Sequence, residues 1–290
     1  MGEKSKNLKL ENCCDSAENL SEYLKIKGRN HNYYKCYSLM ERAFEIKDKK
    51  KLYLSDGSTW NDIDDRKDFN CRDSGFVNFG KSFSFSKDEN VAMWMLYGGI
   101  NKLGGMIDFT KKGINEILKT ASVDVGYFGK DENGKVQFQK VTEVSSKDFK
   151  IYVTDVIYYD KNKNKNKNEN ENENENGSVY YINRSDEAFR RLPKEILEKM
   201  NGCKKSYSWS YESECRLIVS IDKNLLNGEC KFVCIDLENM NLGKSLERLY
   251  RGPNYPSYGP YIKEGLESYL TGTIDWILCD KEKCIYEKEK

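Results

Sequence analysis

The sequence predicts an α+β fold in which a mixed, mainly antiparallel sheet carries helices at its periphery. The alternating run KSFSF (81–85) and the apolar run GGMIDF (104–109) are typical of strands, and amphipathic segments between such runs predict short helices. Charged residues make up 33% of the chain, but 12% of its residues are aromatic, and these supply the large side chains of a packed core.

The elements can be predicted in order along the chain. Residues 15–27 predict a first helix, because Asp15 or Ser16 can cap its start and Gly28 can end it. Ser86 and Glu89 form the S-x-x-E pattern of a capping box, which predicts a helix at about 88–97. The remaining predictions are helices at about 39–47, 115–119, 186–200, 242–249 and 262–270, and strands at 52–54, 81–85, 104–109, 178–182, 208–221, 230–237 and 274–280, with β-rich sequence up to 159.

One low-complexity segment interrupts this pattern. Residues 161–176 read KNKNKNKNENENENEN and contain no apolar side chain, so no contact there can offset the entropy lost on ordering. We therefore expect a single domain over 1–290, with a disordered insertion at 161–177 between two strands and a flexible N terminus at 1–14. A charged docking segment is the alternative interpretation of the insertion.

Composition limits the classes of partner and compartment. Lys and Arg number 48 against 47 Asp and Glu, so no global field attracts nucleic acid or an anionic membrane. No signal peptide precedes residue 20, and no apolar run is long enough to span a bilayer, so we expect a cytoplasmic protein without a membrane partner. Its ten cysteines should be reduced, and because they lack structural zinc spacings we predict no metal site.

Several boxes of the sequence stand out as motifs. They are Tyr34-Lys35-Cys36-Tyr37, Asn61-Asp62-Ile63-Asp64-Asp65, Phe85-Ser86, Met93-Trp94-Met95-Leu96-Tyr97 with Gly104, the box Lys205, Trp209, Tyr211, Glu212, Glu214 and Arg216, and LERLYRGPN (246–254). Together these boxes resemble those of the bacterial family known as domain of unknown function 2971. The family's H-x-G histidine and N-D-P-F-D proline have no counterpart here.

The E-x-E-x-R spacing is the part of these boxes that carries the clearest chemistry. In an extended strand Glu212, Glu214 and Arg216 share one face. Neighbouring carboxylates raise each other's pKa and the guanidinium lowers both, so one acid can stay ionised beside another that exchanges a proton. The alternative is a solvated salt-bridge ladder on an edge strand.

The E-x-E element is also similar to that of ADP-ribosyltransferases. This resemblance implies an ADP-ribosyltransferase-like fold and enzyme, or an NAD glycohydrolase, in which Glu214 stabilises the sugar cation formed from NAD, with Glu212 and Arg216 beside it. It also implies that the protein is a toxin or phage-defence effector, and that the elements carrying its NAD-binding residues converge on one cleft. The residues expected to bind NAD are Lys35, Tyr37, Asn61, Asp62, Ser84, Ser86, Trp94 and Tyr97.

Two other classes of function stay open. Asp62, Asp64, Asp65, Glu212 and Glu214 offer the oxygen ligands that Mg²⁺ needs in a nuclease. A non-catalytic module that recognises another protein is the third class. The individual residues also have plainer roles: Ser86 as a helix cap, Trp94 and Tyr97 as core, and Asn61 with Asp62 as a turn. The acceptor of ADP-ribose, whether protein or nucleic acid, and the oligomeric state are left open.

Overall fold

A computed structural model describes residues 13–69, 75–88, 90–98, 104–160, 179–183, 188–226, 228, 230–246, 248–251, 275–279 and 286–288. The helices are α1 (Ala17–Gly28), α2 (Met40–Asp48), α3 (Ile63–Phe69), α4 (Val91–Gly98), α5 (Lys111–Ile117) and α6 (Lys194–Glu198), with 3₁₀ helices at Tyr207–Glu212 and Lys223–Leu225. The strands are β1 (Tyr34–Leu39), β2 (Lys51–Ser55), β3 (Phe76–Ser84), β4 (Gly104–Phe109), β5 (Ser122–Lys130), β6 (Val136–Ser145), β7 (Phe149–Asp155), β8 (Ile157–Asp160), β9 (Val179–Asn183), β10 (Ala188–Leu192), β11 (Lys204–Ser206), β12 (Glu214–Asp222), β13 (Phe232–Asp236), β14 (Arg248–Arg251), β15 (Asp275–Cys279) and β16 (Tyr286–Lys288).

The predicted α+β class is confirmed. Most strand pairs are antiparallel, including β5 with β6 and β7 with β12. Parallel pairing joins β8 to β11 and β14 to β15. Among the described residues, no helix has both the length and the apolar character needed to cross a membrane.

The chain divides into two compact units, each built from three separate segments. The first unit comprises Met1–His31, Tyr53–Ser82 and Ala121–Cys234. The second comprises Asn32–Leu52, Phe83–Thr120 and Ile235–Lys290. The single-domain organisation stays a prediction.

The core of the first unit packs α1 against β7. Leu20 and Leu24 of α1 are fully buried together with Ile157, and Cys13 belongs to the same cluster. Gly28 allows the close approach, because a Cβ there would lie 2.9 Å from the Cα of Thr154. Strand β12 pairs with β7 on one edge and with β3 on the other. Its residues from 214 to 221 are buried on both faces of the strand.

The second unit is organised by β4, which pairs antiparallel with both β1 and β14. Aromatic rings fill its core. The Phe83 ring contacts Tyr34 edge-on at a centroid distance of 6.3 Å and Phe109 at 5.7 Å. Met40 and Ala43 of α2 are buried as well.

Several predicted elements agree with the structure. Ser16 caps α1, its Oγ accepting a hydrogen bond from the amide of Asn19, and the strand predicted at 104–109 is β4. The strands that flank the low-complexity segment, β8 and β9, pair antiparallel. The segment 161–177, the helix predicted at 262–270 and residues 1–12 of the N terminus lie outside the described residues.

Four predicted helices begin differently or are replaced, and the one predicted at 115–119 begins earlier, as α5 at Lys111. The helix predicted at 186–200 is wrong, because strand β10 and the short α6 occupy this range on either side of Pro193. A proline lacks the amide for a helical hydrogen bond and disfavours helical geometry in the residue before it. The predicted helix at 242–249 is replaced by β14 from Arg248. At α4, Asn90 and not Ser86 is the cap, since its Oδ1 accepts from the amide of Ala92.

The strand predicted at 208–221 is only partly correct. Its first residues form the 3₁₀ helix Tyr207–Glu212, and β12 begins at Glu214. Ser213 separates the two elements with a φ of 46°, a left-handed conformation that interrupts the alternation of an extended chain.

Candidate functional site

The candidate site is an ion cluster inside the first unit, formed by Asp65, Lys205, Glu212, Glu214 and Arg216. Arg216 and Glu214 stand two residues apart on β12, which directs both side chains to the same face. The other members come from the first turn of α3, from β11 and from the end of the 3₁₀ helix. All of these side chains are at most 6% exposed.

Arg216 is the centre of the cluster. Its guanidinium forms a two-point ion pair with Asp65, with Nη1–Oδ1 at 2.8 Å and Nη2–Oδ2 at 2.6 Å. Its Nε donates to Glu214 at 2.7 Å, and Nη1 also donates to the carbonyl of Gly202 at 3.0 Å. The indole ring of Trp60 lies 4.7 Å from the guanidinium carbon. A fully buried arginine is therefore compensated by charge, hydrogen bonds and a ring face.

Glu214 accepts hydrogen bonds at both carboxylate oxygens. Oε1 accepts from Arg216 Nε and from Ser82 Oγ. Oε2 accepts from Arg216 Nη2 at 3.1 Å and from Lys205 Nζ at 3.3 Å. The backbone amide of Glu214 donates to the hydroxyl of Tyr158 at 2.8 Å. The carboxylate is thus held in one orientation by four donors.

Lys205 joins the two glutamates. Its Nζ donates to Glu212 at 2.6 Å as well as to Glu214, and lies 3.9 Å from Asp65. The same ammonium lies 4.7 Å from the centroid of the Trp209 ring. Lys205 therefore brings Glu212 into the cluster even though this residue lies outside the strand.

The cluster contains three carboxylates and two cations, so its charges do not balance. Burial raises the pKa of Glu214, but the charges of Arg216 and Lys205 and its hydrogen bonds outweigh this and hold the pKa well below its usual range. Burial raises the pKa of Asp65, and Arg216 offsets that effect only in part. The carboxylate of Glu214 therefore stays ionised.

Two of the sequence interpretations are corrected here. The solvated salt-bridge ladder is wrong, because Glu214 and Arg216 are 2% and 0% exposed on a strand that is paired on both edges. The shared strand face holds for these two residues but not for Glu212, which ends the 3₁₀ helix.

Asp62 positions Asp65. Its Oδ1 accepts from the amides of Asp64 at 2.9 Å and Asp65 at 3.3 Å, which caps the first turn of α3. Asp62 Oδ2 is buried and has no hydrogen-bond partner in the described part of the chain. Asn61 is exposed beside it.

The remaining predicted residues belong to the second unit, where several lie together. Lys35 of β1 is the register partner of Ser84 on β3, and Ser84 Oγ accepts from the amide of Ser86 at 3.4 Å. The buried Lys35 donates through Nζ to the carbonyl of Lys87 at 2.8 Å.

The aromatic candidates of the second unit form its core or border it. Tyr37 contacts the buried Trp94 ring edge-on at 4.9 Å, and Tyr97 is half-buried on the same helix as Trp94. Because Glu214 is in the first unit, the expected meeting of Lys35, Ser84, Tyr97 and Glu214 in one cleft stays a prediction.

Sequence reasoning missed some members of the cluster. Lys205 was visible only as part of the motif, and Asp65 was considered only as one of five possible Mg²⁺ ligands. Tyr158, whose hydroxyl accepts from the amide of Glu214, was not singled out. In the described ranges, no group of three or more His, Cys, Asp or Glu side chains is arranged so that it could hold a metal ion. The carboxylates of the cluster instead surround two cationic side chains.

Comparison with known proteins gives one family match. The model of a family described as "Protein of unknown function (DUF2971)" matches residues 93–217, less than half of the chain. The matched segment contains the Met93–Tyr97 box and the whole Lys205–Arg216 box, and so supports the resemblance seen in the sequence. The boxes at 34–37 and 61–65 lie outside it. Neither the curated proteins nor the solved structures contain a significant match.

Proposed function

We propose that this protein is an NAD-consuming enzyme, an ADP-ribosyltransferase or NAD glycohydrolase, that acts through Glu214. The observation that carries the proposal is the buried carboxylate of Glu214, which Lys205 and Arg216 hold in the protein interior, where charge is poorly screened. Such a fixed negative charge stabilises a cation that develops beside it. We further propose that the enzyme is a cytoplasmic toxin or phage-defence effector.

The reaction breaks the bond between ribose C1′ and the nicotinamide nitrogen. The bonding electrons leave with nicotinamide, which becomes neutral, and positive charge develops on the sugar. A hydroxyl or amine group of the acceptor, or a water molecule, then bonds to C1′ and loses its proton to solvent. Glu214 is assigned the electrostatic role, because a carboxylate with a strongly lowered pKa is a poor proton acceptor.

We propose that a substrate approaches Glu214 from the side of Ser82. Ser82 is half-buried, whereas the other partners of the carboxylate, Lys205 and Arg216, are buried. The Ser82 hydroxyl is also the neutral donor among the partners of Glu214, so its hydrogen bond is the least costly one to exchange for a bond to a ligand. In the proposed complex a ribose hydroxyl replaces Ser82 Oγ at Oε1 of Glu214.

The test is to incubate the protein with labelled NAD and cell lysate, and to measure free nicotinamide and label transfer to protein or nucleic acid. Glu214→Gln should lower turnover at least about a hundredfold and leave NAD binding nearly intact, because the lost charge acts mainly in the transition state. Ser82→Ala keeps the charge of the cluster and should retain turnover within about tenfold.

The control for this test is the folded state of each variant. Glu214→Gln removes a charge bonded to two buried cations, so assays are run at a temperature where its melting curve shows a folded protein. Absence of nicotinamide release and of transfer by the wild-type protein, with either acceptor class, would overturn the proposal.

A second candidate function is a non-catalytic recognition module. The observation that favours it is the full occupation of Glu214, whose oxygens already accept from Ser82, Lys205 and Arg216. In that case the cluster only holds α3, β11 and β12 together. Glu214→Gln would then lower the melting temperature, and wild-type protein would leave NAD intact.

A further inference from the structure

An aromatic surface adjoins the ion cluster in the first unit. It consists of Trp209 and Tyr211, both from the 3₁₀ helix. The two side chains are half-buried, with their ring centroids 6.1 Å apart and an interplanar angle of 37°. Large rings that are only partly covered beside a candidate site are suited to stacking against a planar ligand.

Lys205 connects this surface to Glu214. Its ammonium lies 4.7 Å from the Trp209 ring centroid and bonds to both Glu212 and Glu214. Burial raises the pKa of Tyr211, and so does the nearby charge of Glu212, which places Tyr211 beside the same group of charges. One lysine side chain therefore separates the ring of Trp209 from the carboxylate of Glu214.

We propose that the aromatic surface binds a neutral purine ring, which is the adenine of NAD if the proposed function holds. The charge of Lys205 decides between the two rings of the dinucleotide. The ammonium already draws on the π electrons of Trp209, which weakens the attraction of this ring for a second cation and leaves it suited to a neutral ring. The nicotinamide ring of NAD is cationic and adenine is neutral, so adenine is favoured at Trp209 and the cationic ring is favoured beside Glu214.

The competing explanation is that the rings of Trp209 and Tyr211 only shield the ion cluster from water. A shielding role predicts a loss of stability when Trp209 is truncated and no effect on ligand binding. A purine site predicts a loss of binding that exceeds any change in stability, with selectivity for the purine over the pyridinium nucleotide.

The experiment uses full-length protein and two probes, AMP and nicotinamide mononucleotide, with calorimetric binding. Trp209→Leu should weaken AMP binding at least about fivefold, which is the low end for the loss of one base stack. Trp209→Phe keeps a stacking ring and should restore most of the affinity. Tyr127→Ser removes a comparably exposed aromatic ring from β5 and should leave AMP binding unchanged.

A second readout protects the test if Trp209→Leu does not fold. AMP should quench part of the tryptophan fluorescence of the wild-type protein, and this quenching should disappear in Trp209→Phe. The inference is overturned if wild-type protein binds no AMP, if Trp209 variants retain full AMP affinity, or if nicotinamide mononucleotide is the ligand that depends on Trp209.

The outcome can be separated from that of the proposed function. AMP contains no bond that the proposed reaction breaks, so AMP binding that depends on Trp209 without NAD consumption would retain the purine site and reject the enzyme. NAD consumption together with AMP binding that does not depend on Trp209 would retain the enzyme and reject the purine site.

Discussion

Arg216 and Asp65 form a buried two-point ion pair although 151 positions separate them in the chain. The pair fixes the first turn of α3 against the face of β12 that also carries Glu214. Because the cluster contains more carboxylates than cations, loss of a cation should lower the stability of the protein more than loss of a carboxylate charge.

Arg216→Met should be among the most destabilising single changes at this site. It leaves Asp65, Glu212 and Glu214 buried with Lys205 as the cation, and breaking a buried ion pair from one side costs about 3–5 kcal/mol. Urea denaturation should show this loss in the free energy of unfolding. Arg42→Met removes a partly exposed arginine that pairs with Glu45 at 2.6 Å, and should cost at most about 1 kcal/mol.

Asp65→Asn should cost less than Arg216→Met. The substitution equalises the charges of the cluster, and its main penalty is an amide nitrogen that faces guanidinium donors, roughly 1–3 kcal/mol for the unsatisfied groups. The same urea experiment ranks the two variants. A larger loss for Asp65→Asn would show that the cluster does not carry the excess negative charge assigned to it.

The stability contributed by Glu214 should depend on pH. Its pKa in the folded protein is lower than the ordinary value of 4.5, so its contribution is complete above 4.5 and is lost as pH falls towards the folded pKa. The difference in unfolding free energy between wild type and Glu214→Gln should therefore shrink below pH 4.5. Glu132→Gln, an exposed control, should track the wild type, and a difference that stays constant from pH 7 to pH 3 would refute the assignment.

Gly28→Ala should destabilise the contact between α1 and β7. The new Cβ would lie 2.9 Å from both the Cα and the amide nitrogen of Thr154, and backbone atoms cannot move away as a flexible side chain does. We expect a loss of about 1–3 kcal/mol in unfolding free energy. Gly75→Ala introduces a Cβ with nothing within 4 Å and should change stability by no more than about 0.5 kcal/mol.

Replacement of residues 161–176 by a short Gly-Ser linker should leave the melting temperature nearly unchanged. The flanking strands β8 and β9 pair antiparallel, so a short connection can join their ends. A shorter loop costs less entropy to close, and the native segment has no apolar group to repay a contact. A decrease of more than about 5 °C would mean that the segment contributes to stability.

Local signals predicted the elements whose stabilising partners are close in sequence. The cap of α1 depends on Ser16 and an amide three residues later, and such a pattern can be found by inspection. Pro193 is an equally visible signal, and its missing amide outweighs the helical spacing around it. The range 186–200 therefore contains two conflicting local signals, and the one that opposes a continuous helix prevails.

The site depended on information that no local pattern contains. Glu212 was assigned to a strand because the left-handed backbone of Ser213 cannot be anticipated from a serine. Glu214 and Arg216 are covered by side chains from α3 and β11 that lie on the same face of β12, and the partner of Arg216 is 151 residues away. The motif therefore predicted that acidic and basic residues form the site, whereas the burial and the ion-pair partners of these residues are set by contacts between distant parts of the chain.

The order in which a ribosome makes the cluster has a consequence for folding. Asp65 leaves the exit tunnel long before β12, and Arg216 is the last of the five members to be synthesised. Until that residue emerges, three acids have Lys205 alone as a counter-charge, and burying them would be costly. The nascent first unit should therefore keep this region open to solvent and to chaperones, and close it in one late step after translation has passed residue 216.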